Sequence, residues 1–270
     1  MSSIGINKLV KFLNGLFPEE KAEEWDNVGF EIEEVYNLKN VDTVSNIIVC
    51  MDITSEVIDY AIEKNSSFII TRHPFFFKDI PNDSLENKGL KNKYKQEILK
   101  KAIEHSIQFY SIHTNYDWSK YQIAFNILDS KIKIKEFVKY EDSNGLFRIK
   151  SKNKIKKIDL INKIKGIYKS EKVNININSD NDQIIDEFFI CSGAAGSLMV
   201  DKDLKNITYI TGEVKWNEWI FANQNNNTLI EVGHYMENIF IRDIKEKLEK
   251  EFKDCVKIYD FDIKNQFKSF

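Results

Sequence analysis

Three short islands hold most of the residues that could do chemistry: Phe68-Ile-Ile-Thr-Arg-His-Pro-Phe-Phe-Phe77, His113-Thr-Asn-Tyr-Asp117 and Gly233-His-Tyr-Met-Glu-Asn238. They contain three of the four histidines and, in Arg72, one of only three arginines. Each follows an apolar run of strand character, and in α/β proteins ligands bind outside the carboxyl ends of such strands. His73, His113, Asp117 and His234, remote in sequence, would meet if those ends converge on one edge. Imidazole with carboxylate is donor chemistry for Zn, Mn, Fe or Ni. His73, Asp117 and His234 would make a three-ligand site open to water. An ion there would lower that water's pKa toward about 7 and supply hydroxide at neutral pH. Taken singly, each residue is better explained by a structural hydrogen bond. His105, in a lysine-rich helix, reads as an exposed helix residue.

The elements that must position these islands are legible as periodicities. Ile4 to Phe17 has the spacing of an amphipathic first helix rather than of a signal peptide. A strand over Ile47–Met51 leads through Asp52 and Thr54, both able to cap, into a helix over Ser55–Lys64. The strand Phe68–Thr71 completes a strand-helix-strand unit, expected to cross over right-handed. Pro81–Lys93 reads as a loop, Tyr94–His105 as a helix and Gln108–Ile112 as a strand. From Lys131 to Gln183 the texture changes to alternating Ile and Lys, a lysine-rich helix near Lys154–Lys165, and a half-exposed strand Val173–Ile177. The strands Phe188–Cys191, Ile207–Ile210 and Thr228–Val232 follow, the last two separated by a helix over Val214–Asn223. Strand, polar turn and helix recur in both halves, which points to internal duplication. The domain boundary is placed between a first α/β lobe, residues 1–128, and a second lobe with its return segment, residues 129–270.

Other motifs carry less. Trp25-Asp-Asn-Val-Gly-Phe30 is either a plain turn or a substrate-facing loop. Ser192-Gly-Ala-Ala-Gly-Ser197 could form an anion-binding nest but lacks the spacing of a P-loop. Phe75–Phe77 and the pair Trp216/Trp219 read as core or subunit interface. Cys50 and Cys191 end apolar runs and read as core. Three cysteines without CxxC spacing indicate neither a disulfide framework nor a thiolate zinc site, and the compartment is expected to be cytosolic. The 270 residues carry a formal charge of −3, which argues against a global basic field for nucleic acid. No apolar stretch approaches the length of a membrane span.

In this order the islands resemble the Nif-three-like family, whose members often carry the name GTP cyclohydrolase 1 type 2 homologue. The matching motifs are WDNVG at Trp25–Gly29, D-x-T at Asp52–Thr54, His73-Pro74, HTNxD at His113–Asp117, SGAAG at Ser192–Gly196, TGE at Thr211–Glu213 and GHY at Gly233–Tyr235. The resemblance implies a two-lobed α/β subunit with mixed sheets, a dinuclear metal site in the cleft between the lobes, and assembly into a toroidal homohexamer. The family takes its ligands from a His-His-Pro turn, the Asp of HTNxD, and the His and Glu of GHxxxE. By position these become Arg72, His73, Asp117, His234 and Asn238, so two of the five depart from the pattern. Glu237 stands one residue early; on an α-helix that would turn its side chain by about 100°.

One divalent ion with the Arg72 guanidinium, against Asp117 alone, carries the same net charge as two such ions against an Asp and a Glu. The site is therefore expected to hold one ion rather than two, bound by His73, Asp117 and His234 with Glu237 in reserve. The opposing expectation is a metal-free site in which Arg72 pairs with Asp117. The function implied by the resemblance is metal-dependent hydrolysis of a nucleotide-like substrate. Arg72 would stabilise anionic charge, His113 would orient a ligand, and Glu213 would shuttle a proton. The alternative is a non-catalytic ring scaffold or regulatory binding protein.

Overall fold

The computed structural model describes residues 2–32, 42–76, 92–119, 122–140, 145–177, 182–264 and 266–267. Phe77, and the expected Pro81–Lys93 loop up to residue 91, lie outside them. In chain order the strands are β1 (Ile4–Gly5), β2 (Gly29–Phe30), β3 (Thr43–Val44), β4 (Asn46–Cys50), β5 (Phe68–Thr71), β6 (Gln108–Ser111), β7 (Ile134–Lys139), β8 (Phe147–Lys156), β9 (Asn174–Ile175), β10 (Ile184–Ile190), β11 (Thr208–Thr211), β12 (Thr228–Glu231) and β13 (Lys257–Phe261). The fold is mixed α/β. Among the described residues no helix is long and apolar enough to cross a membrane.

The chain divides into two compact units. The first is Met1–Ser119 with Phe240–Ile263; the second is Lys120–Ile239 with Lys264–Phe270. This differs from the boundary expected at 128/129, because the chain comes back. The helix Ile239–Phe252 buries Phe240, Ile244, Leu248 and Phe252, with Phe240 against Tyr116 and Phe252 against Phe12. β13 then pairs in parallel with β4. A pairing between opposite ends of the chain leaves no local signature.

In the first unit the sheet order is β13-β4-β5-β6-β2. β4, β5 and β6 are parallel neighbours and β2 is antiparallel at the edge. Ile47–Cys50 and all of β5 and β6 are buried, as expected of parallel strands covered on both faces. The helices Ser55–Glu63 and Lys93–Glu104 supply Val57, Ile58, Ala61, Ile98, Leu99 and Ala102 to a core with Ile48, Ile69 and Phe109. Phe75 and Phe76 enter the same core, and Cys50 is buried in it.

In the second unit the order is β7-β8-β10-β11-β12-β9, with β10, β11 and β12 parallel and the outer pairs antiparallel. The lysine-rich helix runs Lys157–Tyr168 and not from Lys154, because β8 continues to Lys156. Of the expected strand Val173–Ile177 only Asn174–Ile175 pairs, and Ile177 stands exposed. Trp219 packs on the core of this unit, while Trp216 is 80% exposed.

Candidate functional site

The first unit brings four of the expected site residues to the carboxyl ends of β5 and β6. The ladder continues past both strands: Arg72 N donates to Cys50 O at 3.1 Å, His73 N to Met51 O at 2.9 Å and Ile112 N to Thr71 O at 3.0 Å. His73 and His113 are thereby held on adjacent strand ends, their ring centroids 5.5 Å apart.

Each imidazole has its own carboxylate. His73 Nδ1 lies 2.9 Å from Asp52 Oδ1, and His113 Nδ1 lies 2.8 Å from Asp26 Oδ1. In a neutral ring, a carboxylate at Nδ1 favours the tautomer protonated there and fixes the ring's orientation. Asp26 is itself fixed, accepting from both the backbone N–H and the hydroxyl of Thr114. Burial pushes the Asp26 carboxyl up, but the His113 and Thr114 bonds outweigh it and leave it below its ordinary value.

Two readings from sequence change here. Thr54 alone caps the helix Ser55–Glu63, its hydroxyl accepting from Val57 N at 3.4 Å, while Asp52 serves His73. WDNVG is more than a turn: Asp26 orients His113, and Asn27 donates to Phe76 O at 3.1 Å. Sequence reasoning missed Asp26 and Asp52 as site residues. Their only signal was an acid within the same short motifs.

Arg72 is almost wholly buried, at 1% exposure. Its Nη2 donates to both carboxylate oxygens of Asp117, at 2.8 and 2.9 Å, and its Nη1 to the carbonyl of His113. The guanidinium carbon sits 5.4 Å from the ring centroid of Tyr116, whose hydroxyl donates to Asp243 Oδ2 at 2.9 Å. Lys247 pairs with the other oxygen of Asp243. Positive and negative groups thus alternate from Arg72 through to the helix Ile239–Phe252. Asp117 lies within the short helix Thr114–Trp118, as the partner of Arg72.

The second unit gathers His234, Glu213 and Glu237. β12 is prolonged by Val232 N to Thr211 O and Gly233 N to Gly212 O, at 2.8 and 2.9 Å. A 3₁₀ helix then covers His234–Asn238. Residues i and i+3 eclipse in a 3₁₀ helix, so Glu237 stands over His234, Oε2 to Nε2 at 3.0 Å. The 100° offset expected on an α-helix does not arise. Nδ1 of His234 is 3.4 Å from Glu213 Oε1. Asn238 instead donates to the Tyr235 hydroxyl at 2.8 Å.

Glu237 is 4% exposed and lies against Gly193. A Cβ on Gly193 would come 3.0 Å from Glu237 Oε1, and the backbone there is left-handed at φ +69°. Gly193 O accepts from the backbone N–H of both Gly212 and Glu213, at 3.0 Å each, tying the SGAAG and TGE turns together. A cavity of about 410 Å³ opens beside His234, lined by Lys172, Asn174, Glu213, Lys215, Glu231 and Phe267 among others.

The family model Duf34/NIF3 (NGG1p interacting factor 3) matches residues 4–266. The chain belongs to the Duf34/NIF3 family. A GTP cyclohydrolase 1 type 2 homolog of Mycoplasmopsis pulmonis is 31% identical to this NIF3-family chain over 261 residues, covering 94% of it and 96% of that protein. The GTP cyclohydrolase 1 type 2 of Helicobacter pylori is 28% identical over 233 residues, covering 85% of each. A Staphylococcus aureus hypothetical protein of known structure superposes with a TM-score of 0.78 at 22% identity, covering 98% of this chain and 99% of that one. A Bacillus cereus protein related to NIF3 gives 0.80 at 12% identity over the whole of both chains. These last two bear on the fold alone.

Proposed function

We propose that this protein is a metal-dependent hydrolase for a nucleotide-like substrate, using one divalent ion of the Zn, Mn, Fe or Ni class. His73, His234 and Glu237 would hold the ion. Each offers one ligand atom. Asp117 is reassigned from ligand to counter-ion of Arg72. The single observation that carries the reading is the 3.0 Å separation of His234 Nε2 and Glu237 Oε2. Two ligands about 2.1 Å from one ion and at roughly a right angle to tetrahedral lie about 3.0–3.4 Å apart. The donor set, two imidazoles and a carboxylate, also suits these metals. When bound, the ion would supply the Lewis acidity that brings a water's pKa toward neutrality.

The chain's own residues do the rest. Asp52 keeps the His73 proton on Nδ1 and so leaves Nε2 as the donor atom. Arg72, with its charge balanced by Asp117, is a fixed cation beside His73. Asp26 orients His113 through Nδ1, which makes His113 a candidate to accept or return a proton. Glu213, with Oε1 3.4 Å from His234 Nδ1, is the second candidate for moving a proton. The cavity beside His234 is within the roughly 300–1,000 Å³ of small-molecule sites. The names carried by the M. pulmonis and H. pylori relatives support GTP-type substrates.

Incubating the purified protein with GTP and Mn, Zn or Fe tests the reading. Turnover is expected in the wild type and lost in Glu237→Ala. Turnover that persists in that variant places it elsewhere. Asp117 being already neutralised by Arg72 favours a second reading, a non-catalytic scaffold or regulatory binding protein. Absence of turnover with every metal and nucleotide tried supports that one. Self-association into a toroidal homohexamer belongs to both readings, and native mass measurement tests it.

A further inference from the structure

The overall charge of −3 conceals a local one. Residues 131–172 contain fourteen Lys or Arg against five Asp or Glu, a formal +9, so the remainder of the chain is −12. The second unit concentrates part of that excess at one corner. Along β8 the register steps from Ile155, paired with Ile185, to Lys150, paired with Glu187. Five residues of β8 therefore span two of β10, and the strand bulges. Ser151 pins the bulge, its hydroxyl donating to Asn153 O at 2.6 Å, and Lys152, Asn153 and Lys154 stand exposed. The start of β7 lies alongside, Ile134 pairing with Ser151 and Lys152 N donating to Lys133 O at 2.8 Å. Lys131, Lys133 and Lys135 are exposed there, and Lys163 reaches Lys131 O at 2.9 Å.

Elsewhere on β8 the cations are offset. Arg148 lies 3.9 Å from Glu187, Lys156 lies 3.2 Å from Asp182, and Lys150 sits in register between Glu136 and Glu187. Among the described residues, Lys133, Lys135, Lys152 and Lys154 have no such carboxylate. Natural strands often bulge to re-aim side chains, and this bulge presents unpaired ammonium groups to solvent.

We propose that this corner binds duplex nucleic acid through its phosphate backbone, without reading sequence. Clustered lysines outside ion pairs are the electrostatic footprint of a polyanion site. Lysine is a point charge on a flexible stem, suited to phosphate and carrying no base information. A single strand would call for exposed aromatic platforms, but Phe137, the aromatic of β7, stacks on Phe147 at 4.7 Å. A lipid surface would call for an inserted apolar face, and the exposed apolar residues nearest in sequence, Val138, Ile158 and Ile184, are too few to make one. The proposal is independent of the metal reading and of the cavity beside His234.

Fluorescence anisotropy of the full chain with a labelled duplex of about 20 bp, from 50 to 200 mM salt, tests it. The logarithm of the affinity should fall linearly with the logarithm of salt concentration. The variant K133E/K135E/K152E/K154E should bind at least about tenfold more weakly with a slope shallower by two to four, about 0.9 for each lost phosphate contact. K165E/K169E, from the same basic segment, should bind like wild type. Circular dichroism checks that both variants fold. Equal affinity and slope in wild type and the quadruple variant would overturn the proposal. So would lysine-dependent binding to phosphatidylcholine/phosphatidylglycerol vesicles without binding to the duplex.

Discussion

Glu237 brings a carboxylate oxygen to 3.0 Å from Nε2 of His234 because the turn between them is 3₁₀ and not α. A carboxylate three residues on does here what one four residues on does in an α-helix, which has more residues per turn. Asn238, the residue at the fourth place, is turned toward Tyr235. Moving the carboxylate along by one, as E237Q/N238E, should therefore weaken zinc binding by about 10- to 100-fold, the range for a lost interaction around a metal site. Isothermal titration with Zn measures this. Affinity at the wild-type level in the shifted variant would mean that the turn does not dictate the geometry.

The Arg72–Asp117 pair makes a second prediction. Arg72 is nearly inaccessible, so removing its partner leaves a buried charge without compensation. Arg72→Ala and Asp117→Ala should each cost roughly 3–5 kcal/mol in urea unfolding. The double variant should be less damaged than the sum, with a coupling of about 1–3 kcal/mol. Additive losses would show that the two side chains act independently.

Asp52 and Thr54 can be told apart by function. Thr54→Ala removes a helix cap and should cost about 1 kcal/mol of stability with unchanged zinc affinity. Asp52→Ala removes the acceptor that fixes the His73 tautomer and should weaken zinc binding by about 10- to 100-fold. The opposite pattern would return Asp52 to the role of a cap.

Glu31 provides a pH test far from the metal question. It is 5% exposed, its Oε2 accepts from Phe76 N at 2.9 Å, and Oε1 has no partner among the described residues. Burial pushes its carboxyl up to about 8. The folded state thus holds the proton more tightly than the unfolded chain. Below about pH 4.5 both states are protonated and the contribution is whole; it is lost progressively as pH rises from there to about 8. Glu31→Gln should raise the Tm more at pH 8 than at pH 5, by up to about 3 kcal/mol in stability. Equal shifts at both pH values would contradict the burial account.

Much of the fold was legible because β5, Phe68–Thr71, and the helix Ser55–Glu63 wear their burial as periodicity. The second unit was harder. Lysines recur through both β8 and the helix Lys157–Tyr168, so strand runs into helix without a change of texture. The pairing of β13 with β4 depends on the whole intervening chain and leaves no local mark. At the site, histidines and the Arg72 anomaly stood out by rarity. Asp52 did not, since an acid before Thr54 is as good a cap as a partner for His73. Glu237 was named as a ligand, and only its direction was misread, because the turn there is 3₁₀ and not α. The bulk charge likewise hid the lysine corner, because the acidic surplus is spread over the rest of the chain.

Metal analysis by inductively coupled plasma mass spectrometry, on protein purified without chelator, tests the central claim most directly. One divalent transition ion per chain is expected in the wild type and in Thr54→Ala, and close to none in His73→Ala and Glu237→Ala. A metal-free wild type, or an ion content indifferent to both substitutions, would contradict it.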